Sequence, residues 1–259
     1  MKKTAFPILL ALLVVISIGL AGCTPAQDGA GATLVVEEHP LDGVPNSETY
    51  TFTPQDGSQE EILQVHAADR SLTLTQNFTY IDGNQAIEAT LDGKPLVAQQ
   101  TYINNASDSY VWVTLDGNEV YRISTGPASP INTLVGLWTY DSHWALETVL
   151  INLEADDVTT PFALGQVTMD GVLQNESNGY DDAFGLQTIA GKPFFFFKKD
   201  GKIGYSYDGQ ETMLAYDEIP HYRCCSESSL NPRQARDMVA FFALTGDAWY
   251  YVEMGAFSK

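Results

Sequence analysis

Basic residues are scarce in this 259-residue chain, which has 13 lysines and arginines against 33 aspartates and glutamates and a formal net charge of −20 at pH 7. Proteins bind nucleic acid chiefly through basic side chains that neutralise phosphates. A chain with so strong a negative charge repels a phosphate backbone. The composition therefore argues against nucleic acid as a partner.

Motifs that mark common enzyme and cofactor sites are missing as well. The chain has no Gly-x-Ser-x-Gly elbow, no phosphate-binding loop, no dinucleotide fingerprint and no haem attachment motif. Its cysteines number three, and the adjacent Cys224 and Cys225 lack the two or more residues that separate the thiolates of ordinary zinc sites. We therefore expect no cofactor and no metal, and the motifs assign no catalytic residue.

The N-terminus contains a short apolar run. Residues 1–3 carry two lysines, and residues 5–20 are uncharged and rich in leucine, isoleucine and valine. A positive start followed by a short apolar run is the pattern of a signal peptide. Residues 20–23, Leu-Ala-Gly-Cys, resemble the lipobox of bacterial lipoproteins. The resemblance implies that a diacylglycerol is attached to Cys23 and that residues 1–22 are cleaved from the chain.

The residues after the lipobox predict a tether and a location. Residues 24–33 are small and polar without apolar periodicity, so we expect residues 23–33 to form a lipidated flexible tether. Ten extended residues reach at most about 35 Å, and two acyl chains give stable anchoring. We therefore expect a single domain at 34–259 in the cell envelope. The membrane is its partner through the lipid on Cys23, and the domain lies on the extracytoplasmic side.

Asp-Gly dipeptides are the most informative feature of the rest of the chain. Type I′ hairpin turns need positive φ at both central residues, and this dipeptide adopts that conformation easily. Eight such pairs predict an all-β fold of antiparallel hairpins. They begin at Asp42, Asp56, Asp82, Asp92, Asp116, Asp170, Asp200 and Asp208.

Three segments show a complete hairpin pattern, at 110–123, 194–207 and 238–252. Their turn glycines are separated by 84 and 45 residues. One propeller blade has about 42–45 residues, so these distances correspond to two blades and one blade. Residues 70–259 therefore resemble a divergent WD-repeat-type β-propeller, although the Trp-Asp dipeptide is absent. A β-sandwich is the alternative. We also expect a fourth hairpin near 155–157.

Two local predictions concern shorter segments. Asn231 and Pro232 resemble a helix N-cap followed by proline at the first helical position, which predicts a short helix to about Asp237. His143 follows Asp141 and Ser142, but three successive residues do not converge on one reacting atom. We therefore expect a turn there rather than a catalytic triad.

Residues 216–226 form the most unusual stretch of the chain and lie between two predicted hairpins. Rigid scaffolds commonly carry binding loops in this way. The candidate binding residues are Asp217, Glu218, His221, Tyr222 and Arg223.

Cys224 and Cys225 follow directly, and an exported protein meets an oxidising compartment in which thiols pair. A disulfide between neighbours is strained, because consecutive Cα atoms lie about 3.8 Å apart whereas disulfides prefer about 5.5 Å. A structural vicinal disulfide, two thiols without a special role and a functional redox or ligand-contacting pair all remain open.

The sequence favours a non-catalytic β-domain that binds a protein or a small-molecule ligand. One alternative is a secreted hydrolase that uses paired carboxylates, such as Asp181 with Asp182 or Asp217 with Glu218. A hydrolase of that kind needs two acids about 5–9 Å apart across an open cleft. A purely structural envelope protein is the other alternative.

Overall fold

A computed structural model of the chain describes residues 34–45, 76–102, 108–127, 132–152, 162–222 and 231–256. These residues form seventeen β-strands and one short helix, all within a compact unit that spans 31–259. Antiparallel hairpins dominate, so the predicted all-β fold is confirmed. No helix in the described ranges has the length and apolarity needed to cross a membrane. The predicted signal peptide, the tether and Cys23 lie outside the described residues.

The strands form four antiparallel sheets, numbered here in chain order. Sheet I contains β2 (Phe78–Ile81), β3 (Asn84–Leu91), β4 (Lys94–Tyr102), β5 (Asp108–Leu115) and β6 (Asn118–Pro127). Sheet II contains β7 (Leu134–Tyr140), β8 (His143–Ile151), β9 (Ala163–Met169) and β10 (Val172–Leu173), and is followed by α1 (Gln174–Asn178). Sheet III contains β11 (Asp182–Ile189), β12 (Lys192–Lys199), β13 (Lys202–Tyr207) and β14 (Gln210–Met213).

Sheet IV joins the two ends of the described chain. It contains β15 (Arg233–Ala235), β16 (Met238–Thr245) and β17 (Ala248–Gly255), with β1 (Val35–Pro40) added beside β17. In that last pair Val35 lies opposite Gly255 and Pro40 lies opposite Tyr250. The first described strand therefore completes the last sheet.

Six of the predicted Asp-Gly pairs form tight turns in which φ is 47–52° at the aspartate and 73–82° at the glycine. These confirmed turns begin at Asp82, Asp92, Asp116, Asp170, Asp200 and Asp208. The type I′ turn predicted at Asp42-Gly43 is wrong, because neither residue has the positive φ that such a turn needs and the chain only bends there. Asp56-Gly57 lies outside the described residues.

The three complete hairpins predicted from the sequence are confirmed as β5–β6, β12–β13 and β16–β17. The expected turn near 155–157 lies outside the described residues, but β8 and β9 on either side of it pair with each other. The helix predicted at 232–237 is wrong. β15 occupies that segment and pairs with β16, and the side chain of Asn231 bonds to the backbone of Pro220 and Phe242 instead of capping a helix.

The apolar core lies between consecutive sheets. Val111 of sheet I and Leu146 of sheet II share one buried cluster, and Val167 of sheet II and Phe197 of sheet III share a second. A third cluster joins sheets III and IV through Phe196 and other residues. Each of the inner sheets is thus covered on both faces, as the four consecutive buried phenylalanines of β12, residues 194–197, require. This succession is consistent with the predicted propeller-like arrangement and, pair by pair, with sandwich packing.

Candidate functional site

Residues 216–222 are called here the stem. The first residues of the stem lie beside the β16–β17 turn. The backbone N–H of Asp217 donates to Leu244 O at 2.8 Å, and Leu244 N–H donates to Glu218 O at 2.9 Å. The carboxylate of Asp217 accepts the N–H of Gly246 at 2.7 Å. Asp217 and Glu218 thus fasten the start of the stem to sheet IV.

His221 lies deeper in the protein and packs against β11, the first strand of sheet III. Its Nε2 is 2.9 Å from Asp182 Oδ2, and its Nδ1 is 2.6 Å from Ile219 O. The ring stacks on Phe184 with centroids 3.4 Å apart and planes 8° apart. Both ring nitrogens therefore face oxygen atoms, and a protonated imidazole can donate to both.

Tyr222 contacts a different sheet, because its hydroxyl donates to Glu147 Oε1 on β8 of sheet II. The same carboxylate accepts the backbone N–H of Gly185 at 2.8 Å and that of Leu186 at 2.9 Å. Glu147 is only 1% exposed. Burial raises its pKa to about 7, although the hydrogen bonds from Tyr222, Gly185 and Leu186 oppose that rise. Burial likewise raises the pKa of Tyr222 well above 10.

Asp182 completes the arrangement by accepting the N–H of Gly165 at 2.7 Å with the oxygen that does not face His221. A Cβ at position 165 would lie 2.2 Å from Ala183 O and 2.9 Å from Cε2 of Tyr222. Only glycine therefore lets the Tyr222 ring lie against β9. We call Glu147, Asp182, His221 and Tyr222 the carboxylate clamp.

Four of the predicted binding residues lie in the stem: Asp217, Glu218, His221 and Tyr222. The structure brings two of them together, His221 and Tyr222, whereas Asp217 and Glu218 contact sheet IV. Arg223, Cys224 and Cys225 lie outside the described residues.

Reasoning from the sequence missed Glu147 as a member of the site. Glu147 is the one acid in the strand His143–Ile151, which is otherwise almost entirely buried and apolar. A lone acid in a strand of that kind needs a buried partner, and that signal was available in the sequence.

The paired carboxylates considered for a hydrolase do not face each other across a cleft. Asp182 is buried in the clamp, whereas its neighbour Asp181 is exposed on the opposite side of the strand. Asp217 is exposed and bound to Gly246, and Glu218 pairs with Leu244.

His143 does not form a catalytic triad with its two neighbours. Its Nδ1 lies 2.6 Å from Asp170 Oδ2, whereas the Ser142 hydroxyl donates to Asp92 at 3.0 Å. The predicted turn at residues 141–142 is present.

A groove of about 510 Å³ opens between sheets I and II, away from the clamp. It is lined by Tyr121, Arg122, Gln166, Glu176 and neighbouring residues. It contains none of the residues that the sequence singled out. No group of three or more histidine, cysteine, aspartate or glutamate side chains in the described ranges has an arrangement that could hold a metal ion.

Comparisons of the chain with protein-family models, with curated proteins and with solved structures give no match.

Proposed function

We propose that this protein is a lipid-anchored binding protein of the cell envelope, without catalytic activity, that holds a protein or small-molecule ligand at residues 216–226. The observation that carries the proposal is the carboxylate clamp. Its two buried acids bind His221 and Tyr222 of the stem, together with backbone N–H groups, so their oxygens hold the stem in place.

The clamp supports binding because it fixes the stem from two sides. Asp182 holds His221 from sheet III, and Glu147 holds Tyr222 from sheet II. The stacking of His221 on Phe184 adds a third contact. A ligand that meets a stem ordered in advance loses less free energy to the ordering of that segment.

A hydrolase is the second candidate, and one observation favours it. A buried carboxyl with a pKa near 7 is suited to general acid catalysis. Against this, Glu147 accepts three hydrogen bonds from the protein and is 1% exposed. Substrate therefore has no access to Glu147 while the stem is in place.

The anchor is tested by expressing the full chain in bacteria with a fatty acid that carries an alkyne label. We expect the label on the wild type and its loss in Cys23→Ala. Cys224→Ser is the matched control and keeps the label. A labelled Cys23→Ala protein would contradict the proposed anchor.

The binding site is tested by probing the lipoprotein in detergent against glycan and peptide arrays. For a ligand found in this way, we expect Arg223→Ala and the double variant Cys224→Ser with Cys225→Ser to weaken binding. Arg122→Ala, in the distant groove, should leave binding unchanged. Unchanged stability and binding in the loop variants would remove the loop from the proposal. Turnover of the ligand that is lost in Glu147→Gln would establish the hydrolase instead.

A further inference from the structure

The point at which the tether enters the fold lies at one end of sheet IV. Leu34 is buried in the core between sheets III and IV, and β1 starts at the next residue. Val35 lies opposite Gly255, and Gly255 lies opposite Met238 on its other side. The tether therefore reaches the fold beside the turn between β15 and β16.

The stem starts at the other end of the same sheet. Asp217 binds Gly246 in the turn before β17, and β17 then runs for eight residues from Ala248 to Gly255. At about 3.4 Å per residue, the two ends of β17 are about 24 Å apart. The start of the stem and the tether are separated by the length of this strand.

Sheet III places a further turn at the tether end. Gln187 Nε2 donates to Met238 O at 3.2 Å, and Met238 begins β16 beside Gly255. Two residues after Gln187, β11 ends at Ile189 and the chain turns at 190–191 into β12. This turn therefore lies on the same side of the molecule as the tether.

Side-chain contacts link this turn to turns of sheets I and II. Lys192 Nζ lies 3.8 Å from carboxylate oxygens of both Asp141 and Asp208. The Ser142 hydroxyl donates to Asp92 at 3.0 Å. We call the surface formed by these turns the turn face; its turns are 92–93, 141–142, 190–191 and 208–209.

From this arrangement we infer that the turn face lies against the membrane surface and that the β16–β17 turn, beside which the stem starts, points away from it. The inference rests on the proposed lipid anchor at Cys23. The ten residues of the predicted tether have an r.m.s. length of about 18 Å as a flexible chain, which is less than the 24 Å length of β17. The bilayer thus meets the turn face far more often than the stem.

The charge of the turn face defines the kind of membrane contact. Asp92, Asp141 and Asp208 are exposed there, and Lys192 is the cation between two of them. An acidic surface is repelled by anionic headgroups over about 10 Å at 0.1 M salt. The turn face therefore approaches zwitterionic lipid more closely than anionic lipid.

The test uses the lipoprotein in vesicles that contain lipids with a spin label on the headgroup. In a background of Cys224→Ser and Cys225→Ser, a fluorophore is attached at Ser142→Cys on the turn face or at Ala248→Cys beside the stem. In zwitterionic vesicles we expect the quenching to be several-fold stronger at Ser142→Cys than at Ala248→Cys. That quenching should fall in anionic vesicles at low salt and recover at high salt.

A longer tether provides the control. Insertion of about 40 glycine and serine residues after Gly29 raises the r.m.s. tether length to about 39 Å, so the quenching at the two positions should become similar. Equal quenching with the natural tether, or a ratio that the longer tether leaves unchanged, would overturn the orientation. A protein that fails to float with the vesicles would instead overturn the proposed anchor, on which the orientation depends.

Discussion

Replacement of Glu147 by glutamine is expected to flatten the pH dependence of stability between pH 5 and pH 8. Burial raises the pKa of Glu147 in the folded protein to about 7, against an ordinary value of 4.5. Because the folded pKa lies above the unfolded pKa, the folded state binds more protons in this range. The stabilisation is complete below about pH 4.5 and is lost as the pH rises through 7.

The size of the effect follows from the difference between the two pKa values. A shift from 4.5 to about 7 corresponds to about 3 kcal/mol of unfolding free energy at 1.36 kcal/mol per pKa unit. In Glu147→Gln an NH2 group replaces one of the two carboxylate oxygens. That group cannot accept the backbone N–H that the oxygen now accepts from Gly185 or Leu186. One lost hydrogen bond costs about 1–3 kcal/mol. The variant should therefore be less stable than the wild type at pH 5 and similar to it at pH 8.

Urea unfolding of the protein at several pH values from 5 to 8 measures this difference. Glu119→Gln is the matched control, since it removes the same charge from an exposed residue that pairs with Arg122. The wild type and the control should lose stability in parallel, and between pH 5 and pH 8 Glu147→Gln should lose about 2–3 kcal/mol less. A Glu147→Gln curve parallel to that of the control would refute the reasoning.

Three further substitutions should change the free energy of unfolding by different amounts, measured by urea or thermal denaturation. Gly165→Ala should cost about 2–4 kcal/mol, because its Cβ would meet Ala183 O at 2.2 Å, whereas Gly43→Ala, with open space around it, should cost almost nothing. Asn231→Ala should cost about 2–4 kcal/mol, since it leaves buried backbone groups without their side-chain partner. Gly201→Ala should cost about 1 kcal/mol, because φ is +73° in a turn with free space, and a larger loss would contradict the steric explanation.

The sequence predicted best the features that depend on a few neighbouring residues. Asp200-Gly201 forms its turn because the two residues tolerate positive φ, whatever the rest of the fold does. Asp42-Gly43 has the same preference, but neither residue adopts a positive φ where β1 leaves sheet IV. Asn231 does not cap a helix, because its side chain forms hydrogen bonds with the backbone of Phe242, eleven residues away. Local propensity does not reveal such distant partners.

The candidate site shows the same division between local and distant information. His221 and Tyr222 were found because their residue types are unusual in one short stretch. Their partners Asp182 and Glu147 lie 39 and 75 residues earlier in the chain. Only the packing of sheets II and III beneath the stem brings the four side chains together.

The clamp also bears on the choice between a binding protein and an enzyme. A catalytic acid must reach its substrate, and Glu147 can do so only after Tyr222 moves away. His221 and Tyr222 are consecutive residues, so that movement also strains the contact between His221 and Asp182. An opening of this kind would remove one side-chain hydrogen bond from each of the two buried carboxyl groups, and each lost bond costs about 1–3 kcal/mol. The arrangement therefore favours a stem that stays closed over Glu147.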